Sequence, residues 1–143
     1  MTKSISISSP ETFAKLWMHE CCRVFHDRLI NDEDKKWFTK LMAELSNVYF
    51  RARFEHDDLF VNGHLIFGDL LKLDSTKAYE EIKDINKLKS TLLEYLDDYN
   101  ISATRKMNLV FFEDAIEHIA RISRVLRQPR GNMMLIGVGG SGK

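Results

Sequence analysis

The sequence predicts a mainly α-helical chain that ends in one strand and a glycine-rich phosphate loop. Apolar residues recur at three- and four-residue steps through four long stretches, which is the period of an amphipathic helix. The two prolines, Pro10 and Pro129, leave the chain between them free to form uninterrupted helices. Clear strand character is confined to Met133 to Val138, which runs directly into GVGGSGK at Gly137 to Lys143.

Composition indicates an ordinary soluble, intracellular protein. The 143 residues carry 21 Lys plus Arg against 21 Asp plus Glu, so no excess charge favours nucleic acid or an anionic membrane. No apolar run approaches the roughly 18 residues that a membrane-spanning helix requires. The two cysteines, Cys21 and Cys22, are adjacent and cannot form a disulfide framework.

Two helices are predicted in the first third of the chain. Ser8 and Ser9 before Pro10 form a typical helix start, followed by a helix over about 10–30. Its apolar stripe comprises Phe13, Leu16, Trp17, Cys21, Val24, Phe25 and Leu29. Acidic residues at 32–34 favour the start of a second helix, which we place at about 33–55. Its predicted buried face comprises Trp37, Phe38, Leu41, Leu45, Val48 and Tyr49.

The middle of the chain loses the helical period and then regains it. LFVNGHLIF, residues 59–67, is typical of a small hairpin that turns at Asn62-Gly63, and a loop that crosses a neighbouring subdomain fits equally well. Helical spacing returns over 78–100 and is most regular over 105–127. In the latter helix the predicted apolar face is Leu109, Phe112, Ile116, Ile119, Ser123 and Leu126. The sequence QPRG at 128–131 ends it.

Charged residues occupy the other side of the 105–127 helix. Glu113, Glu117, Arg121 and Arg124 lie there, and the arginines continue to Arg127 and Arg130. Because acidic residues lie just upstream of this basic stripe, it indicates a solvated or interface face rather than a nucleic-acid site. On the first helix, His19, Cys22 and His26 share a face, but no fourth ligand is evident, so no metal site is predicted.

The terminal loop satisfies G-x-x-x-x-G-K. The predicted nucleotide-binding residues are Gly137, Val138, Gly139, Gly140, Ser141, Gly142 and Lys143. Glycines allow successive backbone N–H groups to converge on an anion, and the lysine reaches the outer phosphates. The alternative is a glycine-rich turn without function. A doubly wound fold places such a loop after its first strand, so we expect the end of one domain joined to the opening of the next.

Two long stretches carry a family resemblance. MNLVFFEDAIEHIARISRVL followed by RQPRGNMMLIGVGGSGK resembles the entry to the fourth AAA+ module of axonemal dynein heavy chains. LWMHECCRVFHDRLINDEDKKWF resembles the helical lid of the third module, and FGD at 67–69 and DYN at 98–100 fit the junction between the two. The resemblance extends from about residue 10 to residue 143.

The resemblance implies a truncated pair of modules. Residues 1–72 would be the lid subdomain of one AAA+ module, and residues 73–143 would supply the first helix, strand and P-loop of the next α/β module. Arg23, with Arg28 as second choice, would contact nucleotide in the third module, and the terminal loop would hold nucleotide in the fourth. Arg130 and Gly131 would lie near the adenine edge. No catalytic residue is predicted within the chain.

The parent protein implied by the resemblance is an ATP-driven microtubule motor of cilia and flagella. Its cofactors would be ATP or ADP with Mg²⁺. Its partners would be neighbouring modules of the same chain, microtubules, and dynein intermediate and light chains, with neither nucleic acid nor membrane. It would reside in the cytoplasm, in the cytoskeleton of the axoneme. Two alternatives stay open from the residues alone: another P-loop AAA+ ATPase, and a helical interaction module whose glycine tail has no function.

We expect residues 1–143 alone to bind ATP weakly or not at all, because each nucleotide pocket would be completed by parts outside them. Isothermal titration calorimetry on the purified chain with Mg²⁺ and ATP tests this expectation. Micromolar, Mg²⁺-dependent binding would contradict it.

Overall fold

Four α-helices and a small two-stranded sheet make up the described fold. The computed structural model describes residues 9–50, 65–73 and 77–137. The helices are α1 (Pro10–Val24), α2 (Asp32–Phe50), α3 (Ile85–Ser102) and α4 (Glu113–Arg127), and the strands are β1 (Phe67–Gly68) and β2 (Glu80–Glu81). None of the helices in these ranges is long and apolar enough to cross a bilayer. The predicted mainly α-helical class is confirmed.

The first helix begins as predicted and ends early. The Ser9 hydroxyl accepts a hydrogen bond from the backbone N–H of Thr12 at 3.2 Å, and Pro10 opens the first turn. After Val24 the chain tightens into a 3-10 turn, His26–Arg28, and Leu29 is extended. The predicted helix to residue 30 is therefore six residues too long. The acidic start of α2 is confirmed, whereas the predicted end at 55 lies outside the described residues.

The sheet replaces part of a predicted helix. Phe67 pairs with Glu81 and Gly68 with Glu80, antiparallel, and the Ile82 N–H donates to Ile66 O at 2.9 Å. The prediction of a helix from residue 78 is wrong, because Glu80 and Glu81 form the strand that pairs with β1. The predicted hairpin turn at Asn62-Gly63 lies outside the described residues.

Two side chains make hydrogen bonds in the segments before the last two helices, although only α3 has a side-chain cap. The Asp84 carboxylate caps α3 by accepting from the N–H groups of Asn86 and Lys87 at 2.8 and 3.2 Å. Asn100 near the end of α3 bonds both the N–H and the carbonyl of Met107, each at 2.8 Å. These two bonds hold residue 107 outside a helix, so the predicted start of α4 at 105 is wrong by eight residues.

The core consists of two apolar clusters separated by the β1 segment. Phe67 points into the first and its neighbour Ile66 into the second, as successive residues of a strand do. The first cluster includes Leu16, Met18, Cys22, Phe38, Met42, Ala43, Leu65, Phe67 and Tyr79. The second includes Ile66, Ile82, Leu88, Leu92, Phe111, Ile116 and Ala120. Several residues of the predicted apolar faces are instead exposed: Leu109, Phe112 and Leu126 at the α4 end of the chain, and Trp37, Val48 and Tyr49 on α2.

The predicted C-terminal strand is absent from residues 133–137. This stretch follows α4, has no assigned secondary structure and is exposed along its length. A strand needs a neighbour to bond its N–H and carbonyl groups, and within the described ranges no strand pairs with it. The sharp turn at 128–131 is confirmed: the Gly131 N–H donates to Gln128 O at 2.9 Å, and Arg130 has a φ of 60°.

Gly131→Ala should destabilise the turn after α4. A Cβ at residue 131 would stand 1.9 Å from the carbonyl oxygen of Val125 and 2.9 Å from its carbon, and backbone atoms cannot yield as a side chain can. We expect the free energy of unfolding in urea to fall by about 1–3 kcal/mol, the usual cost of overpacking. Gly68→Ala is the control, because its Cβ would meet only the tip of the Ile82 side chain at 3.1 Å. Equal stability of the two variants would contradict the prediction.

Candidate functional site

Six charged side chains line the contact between α1 with its following turn and α4. They are Glu20, Arg23, Asp27, Glu117, Arg121 and Arg124, and we call this group the α1–α4 seam. Successive charges on each side are three or four residues apart. This spacing places Glu20 and Arg23 on one face of α1, and Glu117, Arg121 and Arg124 on one face of α4, while Asp27 continues the first set in the 3-10 turn. The charged side of α4 is thus an interface face, one of the two outcomes predicted for it.

The Glu20–Arg124 ion pair joins the two helices at one end of the seam. Arg124 donates from Nε to both carboxylate oxygens of Glu20, at 3.2 and 3.0 Å, and from Nη2 to Oε2. Burial alone would raise the pKa of Glu20, but the hydrogen bonds and charge of Arg124 outweigh it and hold the pKa below its ordinary value. The contact spans 104 residues of sequence and fixes α4 against α1.

A buried histidine extends this contact into the core. His19 is 2% exposed, and its Nδ1 lies 2.8 Å from the carbonyl oxygen of Leu65. A carbonyl only accepts, so Nδ1 carries the proton. The Tyr79 hydroxyl lies 3.1 Å from both His19 Nε2 and Glu20 Oε1. Its single proton can go to only one of these two acceptors at a time. Burial lowers the pKa of His19 to about 4, so the ring is neutral at pH 7.

The middle of the seam is organised around Asp27. Arg23 contacts it through two atoms, with Nε 2.9 Å from Oδ2 and Nη2 donating to Oδ1 at 3.1 Å. Arg121 of α4 approaches the same oxygen, with Nε 3.7 Å from Oδ2, and its Nη2 donates to Glu117 Oε2 at 3.1 Å. Asp27 therefore lies between arginines that belong to different elements.

Two further ion pairs flank the seam. Arg127 Nη1 lies 2.6 Å from Asp69 Oδ2, and the guanidinium carbon of Arg127 lies 5.0 Å from the centre of the Tyr79 ring. On α1, Lys15 Nζ donates to Glu81 Oε1 of β2 at 2.8 Å. The seam and these pairs tie α1, the sheet and α4 together. What the arrangement does is positional: it pairs its charges and fixes the orientation of the helices.

The structure places the predicted nucleotide residues in different surroundings. Arg23 lies in the seam with its side chain 13% exposed, whereas Arg28 is exposed at the end of the 3-10 turn. Gly137 lies at the exposed end of the stretch after α4, and residues 138–143 lie outside the described ranges, so the shape of the loop stays a prediction. In the part of the chain that the structure describes, no group of three or more side chains is arranged as a metal site.

Sequence reasoning missed Glu20, Tyr79 and Asp69. The spacing of Glu117, Arg121 and Arg124 showed that α4 has a charged face, but helical periodicity cannot identify which distant residue pairs with it. The available signal was a complementary face on α1, where Glu20, Arg23 and Asp27 recur at the same spacing. Matching those two faces would have made the two segments candidate neighbours, but it could not have identified which residues pair.

Acidification should weaken the fold through His19. The folded state keeps this ring neutral down to about pH 4, whereas the unfolded chain binds a proton near the ordinary pKa of 6.5. The contribution of His19 to the free energy of unfolding is therefore fully present above pH 6.5 and is lost as the pH falls towards 4. The loss between pH 7 and pH 5 is about 2 kcal/mol. Urea unfolding at several pH values measures this loss of stability. His118→Gln is the control: because His118 lies on the exposed side of α4, this variant should lose as much stability on acidification as the wild type.

A direct titration decides whether His19 is the cause. Nuclear magnetic resonance of the folded chain should show only a small change in the His19 ring signals between pH 7 and pH 5, because a pKa of about 4 leaves about a tenth of the rings protonated at pH 5. A midpoint above pH 6 for this ring would contradict the prediction.

Comparison with known proteins agrees with the family resemblance. Residues 107–143 match a family model described as "P-loop containing dynein motor region D4". Dynein axonemal heavy chain 6 of Homo sapiens is 48% identical over 132 residues, which cover 90% of this chain and 3% of that protein.

Two mouse proteins have similar sequence identities to this chain and similar coverages. Dynein axonemal heavy chain 1 of Mus musculus is 42% identical over 144 residues, covering 100% of this chain and 3% of its own length. Dynein axonemal heavy chain 2 of Mus musculus is 44% identical over 134 residues, covering 92% of this chain and 3% of its own length. The chain thus spans about 3% of the length of these relatives. By sequence, this chain belongs to the axonemal dynein heavy chain family.

Proposed function

We propose that this chain supplies nucleotide-binding parts to the AAA+ ring of an axonemal dynein motor. The observation that carries the proposal is the G-x-x-x-x-G-K sequence at 137–143, at the end of the region that matches a P-loop dynein motor family model. Residues 1–72 act as the lid of the third module, and residues 73–143 open the fourth.

The donor set of the loop fits a nucleotide phosphate. Residues 137–143 contain four glycines, no proline and one lysine, so each residue offers a backbone N–H and the chain can curl around an anion. Lys143 adds a positive charge for the outer phosphates. Bound ATP with Mg²⁺ would supply the phosphoanhydride bond that the motor hydrolyses, with transfer of the phosphoryl group to water. No residue of this chain is assigned to Mg²⁺, because the hydroxyl that usually binds it follows the loop lysine.

The proposed path from the lid to the loop runs through the seam. Glu20 and Arg124 hold α4 against α1, and α4 leads through the tight turn at 128–131 into the loop segment. A loop attached to a fixed helix keeps its backbone donors in one place, which reduces the entropy lost when a phosphate binds.

Arg23 is proposed to contact nucleotide held by the third module. Its two contacts to Asp27 use Nε and Nη2. A phosphate oxygen would therefore bind Nη1 or the second N–H of Nη2, or replace Asp27 as the partner of this guanidinium. Arg28, exposed one turn further on, is the second candidate for the same role.

The parent protein is proposed to be an ATP-hydrolysing motor that moves along microtubules in the axoneme of cilia and flagella. Neighbouring AAA+ modules would complete both nucleotide sites, and dynein intermediate and light chains would assemble with the parent. The family membership argues against the two earlier alternatives, which were another P-loop AAA+ ATPase and a helical interaction module whose glycine tail has no function.

Lys143→Ala in the parent motor should weaken nucleotide binding at the site of this loop. Loss of a charged hydrogen-bond partner predicts an affinity about 10- to 100-fold lower at that site, with the other sites unchanged. Equilibrium titration with fluorescent ADP, which resolves the number and affinity of the sites, measures the effect. Lys106→Ala is the matched control, because Lys106 is an exposed lysine outside the loop. Unchanged binding in Lys143→Ala would refute the proposed role of the loop.

A further inference from the structure

We propose that residues 107–112 accept a β-strand from a part of the parent polypeptide outside residues 1–143. This segment, MNLVFF, connects α3 to α4 and is apolar apart from one asparagine. The proposal concerns an interaction surface, and it does not depend on whether the loop at 137–143 binds nucleotide.

The exposure of the side chains alternates along the segment, as it does in a β-strand. Leu109 and Phe111 are 47% and 7% exposed, whereas Val110 and Phe112 are 79% and 60% exposed. Phe112 has a φ of −106° and a ψ of 165°, which are strand values. Because successive side chains of a strand point to opposite faces, the odd-numbered face lies against the protein and the even-numbered face lies outwards.

The side chain of Asn100 occupies one edge of this strand. Its amide donates to the Met107 carbonyl and accepts from the Met107 N–H, both at 2.8 Å. A residue of an antiparallel strand makes the same two bonds with the residue opposite it. Alternate residues of a strand direct their backbone groups to opposite edges, so Leu109 shares the edge of Met107. The groups of Asn108 and Val110 therefore belong to the other edge.

The other edge has no neighbouring strand. No backbone hydrogen bond between described residues involves residues 108–111, and the sheet found in these ranges contains only β1 and β2. Asn108 and Val110 are both exposed, so their N–H and carbonyl groups are open to a partner. An apolar strand with one free edge is the kind of surface to which an extended segment adds by main-chain hydrogen bonds.

The charges at the two ends of the segment indicate the chemistry of the added strand. Arg105 lies just before the segment and Glu113 just after it, and both are exposed. The strand that fits carries a carboxylate opposite Arg105 and a cation opposite Glu113, because opposite charges across a strand pair are favourable. Between its ends it presents apolar side chains beside Val110 and Phe112.

The small size of this edge favours a strand of the same polypeptide over a separate molecule. A stable complex between separate proteins buries about 1,200–2,000 Å², which is more than a single strand of six residues provides. A strand within the same polypeptide loses less translational and rotational freedom, because the intervening chain keeps its effective concentration high. This chain spans about 3% of the length of its relatives, so the parent has much further sequence from which such a strand can come.

Hydrogen exchange resolved to single amides, measured on the parent motor and on residues 1–143, tests the proposal. In the parent, the amides of Asn108 and Val110 should exchange about 100-fold more slowly than in residues 1–143, because each donates to the added strand. The Leu109 amide should remain fast, since it points to the opposite edge. Coverage of the segment by side chains alone would not produce this alternation.

Two proline variants of the parent provide a matched comparison. Val110→Pro removes an N–H from the free edge and should abolish the slow exchange of Asn108, because proline cannot donate to a neighbouring strand. Leu109→Pro is the control: it removes an N–H that has no strand partner, and it favours an extended conformation for the residue before it. The slow exchange of Asn108 and Val110 should therefore persist in Leu109→Pro.

A charge reversal tests the chemistry of the added strand. Arg105→Glu places like charges opposite each other and should speed the exchange of Asn108 and Val110 in the parent by about 2- to 5-fold. Unchanged exchange in this variant would overturn the assignment of a carboxylate to that end of the strand.

The remaining outcomes separate this proposal from its rivals and from the proposed function. Fast exchange of Asn108 and Val110 in the parent, or equal effects of the two prolines, would overturn it. Slow exchange of these amides in residues 1–143 would assign the strand to this chain or to a second copy, and would overturn it too. If Val110→Pro reduces the yield of folded motor, the alternation in the wild type decides alone. The nucleotide affinity of Lys143→Ala is a separate readout, so either proposal can fail while the other stands.

Discussion

The pairing of half-buried charges between α1 and α4 is the constraint on which the rest of the structure depends. An apolar contact between these helices could slide or rotate with little change in free energy, whereas an arginine that bonds both oxygens of a carboxylate requires one geometry. Glu20 and Arg124 provide that contact across 104 residues of sequence. Their contribution is primarily to specificity, since desolvation offsets much of the attraction in a half-buried ion pair.

The polar network reaches the apolar core through three residues. His19 bonds the carbonyl of Leu65, just before β1, while Tyr79, just before β2, bonds His19 or Glu20. The two short strands are thereby held at both ends of their pairing. Two-residue strands would be marginal alone, so the network and the two apolar clusters on either side explain why this sheet forms.

Local signals in the sequence were sufficient for the existence of the four described helices and for the starts of the first two, and insufficient for the starts of the last two and for what lies between the helices. Ser9-Pro10 and the acids at 32–34 determine helix starts from within a few residues, and both were predicted. The segment at 79–82 has helical spacing, but pairing with β1 overrides that preference, and no local pattern reports a partner twelve residues away. The hydrogen bonds of Asn100 to Met107 likewise override the helical spacing predicted from residue 105. For the candidate site, the charged face of α4 was predictable, whereas its partners on α1 required knowledge of the tertiary contact.

The same constraint bears on how a strand and a phosphate loop can follow α4. Residues 133–136 are apolar and exposed, so they gain little by remaining as they are, and strand formation would bury them only beside a neighbouring strand. The seam fixes α4 without that neighbour. An anchored helix thus presents an unpaired apolar segment from a defined position. In the proposed function, phosphate binding at the loop depends on the position of α4, which contacts with Asp69, Tyr79 and Glu20 fix, as well as on the glycines themselves.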